Sequence, residues 1–168
     1  MPVPRDWANP FLEQAREDLR AAEAAYNATC ESTFCMLLQM TYEKLAKAAF
    51  ARRGLLPTRT HDGASRLLLL LGRDPAGPRL PGYQGRVLDA VRELENAQPA
   101  IVSRAVRQGA PQSPQLEYPW ENPTSNAVEW PARHLAIVQR VRDPRQRIGA
   151  DLLKLAHAID AQFDTLFP

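Results

Sequence analysis

The sequence predicts an all-α fold, an up-and-down bundle of four to five helices within one domain of 168 residues. Three observations predict it. Apolar residues recur at three- and four-residue intervals over most of the chain, the period of a helix that buries one face. They do not alternate in the two-residue rhythm of a strand, and there is no internal repeat or low-complexity tract. The first two helical stretches are joined only by Asn27 to Glu31, a connection short enough to set them antiparallel and side by side.

Taken in order, the first helix starts at Asn9-Pro10, a capping residue followed by the ring best tolerated in a first turn. Leu12, Ala15, Leu19, Ala22 and Tyr26 form its apolar stripe, and Glu13, Glu17, Asp18 and Glu23 make the other face acidic. The second helix, Ser32 to Gly54, is the one the others should surround. Phe34, Leu37, Leu38, Thr41, Leu45, Ala48 and Ala49 cover two adjoining faces, which fits a helix enclosed on most sides. Gln39, Glu43 and Lys47 stand four residues apart and line up as a polar stripe, with Glu N-terminal to Lys in the favoured order. Gly54 ends the helix.

Thr60 is placed to cap a third helix, whose buried face is Ala64, Leu67, Leu68 and Leu71 and which Gly72 closes. Residues 73–83 hold three prolines and two glycines and read as a loop. Gln84 to Asn96 is helical again, with Val87, Leu88, Val91 and Leu94 on one side. Pro99 bends or interrupts it before Ile101, Val102, Ala105 and Val106 continue the pattern. Residues 108–132 then form a long loop with five prolines and the aromatic residues Tyr118, Trp120 and Trp130. Such a loop is often functional when ordered. Its favoured reading here is a strap whose Trp residues plug an open end of the bundle. Leu135, Val138 and Val141 mark a further helix. Asp143-Pro144 reads as a break and a restart, with Asp capping the last helix, whose buried face is Ile148, Leu152, Leu155, Ile159 and Phe163.

Composition narrows the function classes. The longest leucine run, Leu67 to Leu71, is far too short to span a bilayer, and MPVPRDWANP has no charged-then-apolar leader, so the expected location is the cytoplasm. Cys30 and Cys35 match no zinc spacing and are read as reduced; with three histidines in the chain, no metal or other cofactor is expected. A net charge of +2 does not by itself announce a nucleic-acid binder. No nucleophile elbow, Gly-rich phosphate loop or paired-carboxylate constellation is present.

Two clusters remain as candidate sites. Glu43, Lys44, Lys47, Arg59, His61 and Asp62 form the first; Asp62 at the start of the third helix satisfies the helix dipole from within the protein, so structural ion pairs and a nucleotide or phosphate site both fit. The second is the run RHLAIVQRVRDPRQR, in which Arg133, Arg140, Arg142, Arg145 and Arg147 face Asp143 alone as counter-charge. Arginine suits paired contacts with phosphate, and a nearby aromatic such as Trp120 would add stacking on bases. A solvated helix face, or a partner for an acidic first helix in a second subunit, is the alternative.

QMTYEKLAKAAFARRG followed by TRTHD resembles the HEPN domain family, which commonly reads as Gln, three residues, Glu-Lys, two residues, Lys-Ala, then a Thr/Ser-His-Asp/Asn turn. WANPFLEQAREDLRAAEAAY resembles the family's first helix, and EYPW at 117–120 faintly resembles a Tyr-Pro segment common before its last helix. The main matches cover residues 7–71. The resemblance implies a nucleotide or nucleic-acid ligand and, as a possible partner, a nucleotidyltransferase. Many such domains are ribonucleases with Arg and His separated by four to six residues. None of His61, His134 and His157 has an arginine at that spacing. Cleavage by the RNA's own 2′-hydroxyl needs an acid or base near neutrality beside a cation, so the missing motif points away from that chemistry.

The sequence therefore points to a HEPN-like binding or regulatory module, forming a homodimer, rather than to an enzyme. The alternatives are an endoribonuclease toxin of a toxin–antitoxin pair, with Arg147 and His134 converging from distant segments, and a bundle that mediates protein association only.

Overall fold

Helix α1 (Ala8–Asn27) and helix α2 (Glu31–Arg52) form the antiparallel hairpin on which the fold is built, and theirs is the most extensive contact between any two elements. The computed structural model describes residues 3–55, 61–109 and 114–168. Leu56, Pro57, Arg59 and the expected cap Thr60 lie outside the described residues. A 3-10 turn, Pro4–Trp7, leads straight into α1, which starts at Ala8 rather than at the Asn9-Pro10 cap. Pro10 then sits in the first turn, where an N–H would have no intrahelical acceptor anyway.

Helix α2 is enclosed as its two apolar faces require. Phe34, Cys35, Leu38, Tyr42, Leu45, Ala46, Ala48 and Ala49 are all buried, and the Tyr42 hydroxyl donates to the Leu152 carbonyl at 2.7 Å. Cys35 belongs to this core, whereas Cys30, at the N-cap, is exposed. Around α2 pack α3 (Gly63–Arg73), α4 (Gly85–Asn96), α7 (Ala136–Arg142) and α8 (Ile148–Ala161). The all-α bundle is thus the observed architecture. Short helices α6 (Pro131–His134) and α9 (Phe163–Leu166) extend it.

Several boundaries differ from the sequence expectation, each for a physical reason. Helix α3 begins at Gly63 with Asp62 at its N-cap, so His61 and Asp62 precede the helix instead of forming its first turn. Gly63 lies against α2, where a Cβ would stand 3.1 Å from the Ala46 Cβ. The chain reaches α2 before it coils. Gly72 does not close α3, which continues to Arg73. Pro99 interrupts rather than bends. It starts a separate helix, α5 (Pro99–Arg107), capped by Gln98, whose side-chain oxygen accepts from the N–H groups of Ala100 at 2.6 Å and Ile101 at 3.2 Å.

The 108–132 segment contains a short antiparallel pair, β1 (Trp120–Glu121) and β2 (Val128–Glu129), although no strand is expected from the pattern. Two residues are too few for alternation to register. Leu116 and Trp120 are buried in the core, and the Leu116 N–H donates to the Ala97 carbonyl at 2.9 Å, as a strap would have it. Asp143 does not cap the last helix. It ends α7, and its side chain accepts from the Arg145 N–H at 3.0 Å, turning the chain. Arg147 then takes a left-handed φ of 53° before α8 starts at Ile148.

Candidate functional site

On α2, Gln39, Glu43 and Lys47 stand one turn apart, and all three side chains converge on the Glu43 carboxylate. Glu43 Oε1 accepts from Lys47 Nζ at 2.7 Å, and Oε2 accepts from Gln39 Nε2 at 3.2 Å. The turn before α3 brings in a fourth member: His61 Nδ1 lies 2.8 Å from Glu43 Oε2. Glu43 itself is 7 % exposed. Burial raises its carboxyl pKa, but the hydrogen bonds and charges of Lys47 and His61 outweigh burial and leave it below its ordinary value of 4.5. Lys47 Nζ also lies 5.8 Å from the Phe11 ring centre, over its face.

Lys44 is not part of this set. One residue along a helix turns the side chain by about 100°, and Lys44 faces α1, where it pairs with the buried carboxylate of Asp18. Gln14 Nε2 donates to the other oxygen of Asp18 at 3.2 Å. Asp62 stands at the α3 N-cap, with Oδ2 3.6 Å from Arg66. Arg59 lies outside the described residues. Sequence reading assigned Asp18 to an exposed acidic face; its place on the α1 stripe beside Ala15, Leu19 and Ala22 was the available signal.

Glu95 was missed altogether. It is 5 % exposed on α4, and its carboxylate accepts from the Ser65 N–H at 3.2 and 3.3 Å and from the Ser65 hydroxyl. Ser65 is in the first turn of α3, so a carboxylate from another helix caps the N-terminus that Asp62 leaves without a side-chain bond. Nothing local in the sequence signals such a contact across thirty residues.

The five arginines of residues 133–147 divide. Arg140 pairs with Glu93 at 2.5 Å, and Arg142 stands 3.5 Å from Glu31 while donating to the Ala132 carbonyl at 2.9 Å. Arg133, Arg145 and Arg147 are exposed and have no carboxylate partner among the described residues. Trp120 does not join this face: it is 3 % exposed, and its Nε1 donates to Glu129 Oε2 at 3.1 Å. The hairpin turns its ring into the core, because the loop needs an anchor. No hydrogen bond or ion pair among the described residues joins Arg147 to His134, whose Nδ1 accepts from the Trp130 N–H at 3.1 Å. His157 is exposed on α8, 3.6 Å from Glu23.

Among the described residues no group of three or more His, Cys, Asp or Glu side chains is arranged to hold a metal ion, and no helix is long and apolar enough to cross a membrane. A family model, that of the HEPN domain, matches residues 8–98, more than half of the chain. The match extends beyond the motif-bearing stretch through α3 and α4. No curated protein and no solved structure matches the chain.

Proposed function

The chain belongs to the HEPN domain family, and from that premise we propose that it is a non-catalytic module that binds a nucleotide or nucleic acid on the face carrying Arg133, Arg145 and Arg147. The observation that carries this reading is a contrast between two clusters. The polar residues of α2 and the following turn are committed to one another: Glu43 takes Lys47, Gln39 and His61. The three arginines are exposed cations with no carboxylate opposite them among the described residues. Cations without a protein counter-ion are the groups available to phosphate, and arginine presents them in a fork that matches its oxygens. The ribonuclease spacing of Arg and His is missing from the sequence, and His61 is already engaged by a carboxylate.

One observation favours a second reading of where a small ligand sits. The His61 side chain, which shares Glu43 with Lys47, remains 35 % exposed, so a nucleotide phosphate would compete with Glu43 for the Lys47 ammonium and the His61 ring. The homodimer and a nucleotidyltransferase partner belong to the same proposal; sedimentation that finds only monomer at tens of micromolar counts against the dimer.

Thermal unfolding against a panel of nucleotides and short RNAs, with the RNA recovered and sized afterwards, tests the function. A ligand at a hundred times its dissociation constant adds about 2.7 kcal/mol. Stabilisation with intact RNA is the expected result. Shortened RNA would restore the endoribonuclease reading, and no response to any ligand would leave protein association in its place.

A further inference from the structure

The hairpin sends its two tryptophans in opposite directions. In the pair Trp120↔Glu129, Trp120 is anchored in the core, and the next residue after β2 is Trp130. Trp130 keeps extended backbone angles, φ −146° and ψ 155°, at the N-cap position of α6, and the residue is left 40 % exposed. It is nevertheless held. The Trp130 N–H donates to His134 Nδ1 at 3.1 Å, and the His134 ring meets the indole edge-on at 4.5 Å and 83°. The Arg133 guanidinium lies over the indole, its carbon 5.8 Å from the ring centre, so a base that stacks here meets the guanidinium plane as well as the ring. A large aromatic surface fixed in orientation, wet, and flanked by a cation is an unusual use of tryptophan, which as a loop anchor would be buried as Trp120 is.

The surroundings extend the feature. Tyr118, 59 % exposed, leaves the same end of the strand pair as Trp130. Arg142 reaches this corner through its bond to the Ala132 carbonyl. Beyond α7 the turn carries Arg145 and Arg147. Negative charge is also near in sequence: Glu117, next to Tyr118, is exposed, while Glu129, next to Trp130, is engaged by Trp120 and Asn122. Arg133 lies over the Trp130 ring, and Tyr118 stands next to the exposed Glu117, so Trp130 is the aromatic with a cation at hand.

We propose that Trp130 and Arg133 form a stacking platform for the unpaired bases of a single-stranded nucleic acid, whose phosphates follow Arg133, Arg145 and Arg147. This deepens the nucleic-acid reading above and rests on it. Stacking against an exposed indole needs a free base face, which a duplex buries between its own pairs; every base has such a face, so the platform is tolerant of sequence. Charge alone would favour the duplex, whose phosphates are more densely spaced along its axis.

Fluorescence anisotropy of the full chain with labelled oligo-uridine, oligo-thymidine and a duplex, each of about a dozen nucleotides per strand, tests this. Wild type is expected to bind either single strand more tightly than the duplex, and the preference between uridine and thymidine strands then names RNA or DNA. Trp130→Ala should weaken binding roughly 5- to 150-fold, the range that removal of one base-stacking aromatic produces. It should leave the salt dependence unchanged. Trp130→Phe, which keeps a ring face, should recover part of the loss, and should lose the quenching of intrinsic fluorescence that the wild type shows on binding. Arg133→Gln, a second surface variant, should lower the slope of log affinity against log salt by about 0.7. Full binding by a folded Trp130→Ala, or a wild type that prefers the duplex, overturns the platform and leaves the nucleic-acid reading standing. No binding to any of the three probes overturns both.

Discussion

Glu43 carries more partners than any other side chain of the α2 stripe, and the spacing of its helix explains only part of that. Gln39 and Lys47 reach it because they are one turn away on either side, which the sequence states directly. His61 reaches it because the chain folds back after α2, and no local pattern fixes that contact. Glu43→Gln removes the charge that meets Lys47 and His61 while keeping the shape. It should cost about 2–3 kcal/mol, the worth of hydrogen bonds to a charged group plus partners left short, read as a lower midpoint in urea. The pH dependence has a definite sign. A carboxyl group whose pKa is lowered on folding contributes stability that is fully present above its unfolded value of 4.5 and is lost as pH falls through the lower folded value. As pH falls below about 4.5 the wild type should therefore lose more stability than Glu43→Gln does; parallel losses would show that Glu43 is not the group responsible. The pair of Lys44 with Asp18 teaches the complementary lesson. Lys44 and Lys47, three residues apart, serve different carboxylates, one on α1 and one on α2 itself.

Helix interiors were legible; the ends were legible at Gly54 and for α4 but not at the starts of α1, α3 and α8. The apolar stripes of α1, α2, α3, α4 and α8 are buried as their periods demand, because burial of a stripe is a property summed over many residues. A boundary depends on one or two hydrogen bonds, which a distant residue can supply. Glu95 does so at the start of α3. Glu95→Ala should cost about 1–2 kcal/mol, and amide exchange should accelerate first at Ser65 and its neighbours in α3. Close approaches between elements set a second limit invisible in sequence. A Cβ on Gly77 would stand 1.9 Å from the Leu71 carbonyl oxygen, and backbone cannot step aside as a side chain can. Gly77→Ala should lower the melting temperature sharply, whereas Gly85→Ala, with open space around it, should leave it within a degree or two or raise it slightly. Helix α5 stands apart from both cases. Val102 is its one buried residue and Gln98 its cap, so Gln98→Ala should fray α5 locally, visible by exchange at Ala100 and Ile101, with little change in global unfolding.

At the scale of the whole molecule, the family and the helical class were within reach of the sequence because both rest on the α1–α2 hairpin and the turn to α3. The proposed binding face was not. Trp120 and Trp130 look equivalent in a proline-rich loop, and the two-residue strand pair that sends one inward and one outward leaves no periodic trace. The arginine run was visible, but which arginines keep a free charge was decided by Glu93 and Glu31, residues on other helices. Raising salt should weaken any nucleic-acid complex of this face with a slope that reflects the few unpaired arginines and not all five of the run; single-site variants at Arg140 should change the slope less than those at Arg145 or Arg147.

The two thiols divide the molecule in another way. Cys30 lies open at the head of α2, one residue from the Glu31 that Arg142 meets, while Cys35 is sealed in the core and burial pushes its pKa far above the ordinary range. A maleimide should therefore mark the native chain once and the unfolded chain twice. The first label is a reporter beside the arginine face, since a dye on Cys30 can register an approaching strand without any engineered cysteine. The second reaction is a clock: its rate measures how often the bundle opens far enough to bare the middle of its central helix, and it should slow when a ligand holds the fold closed.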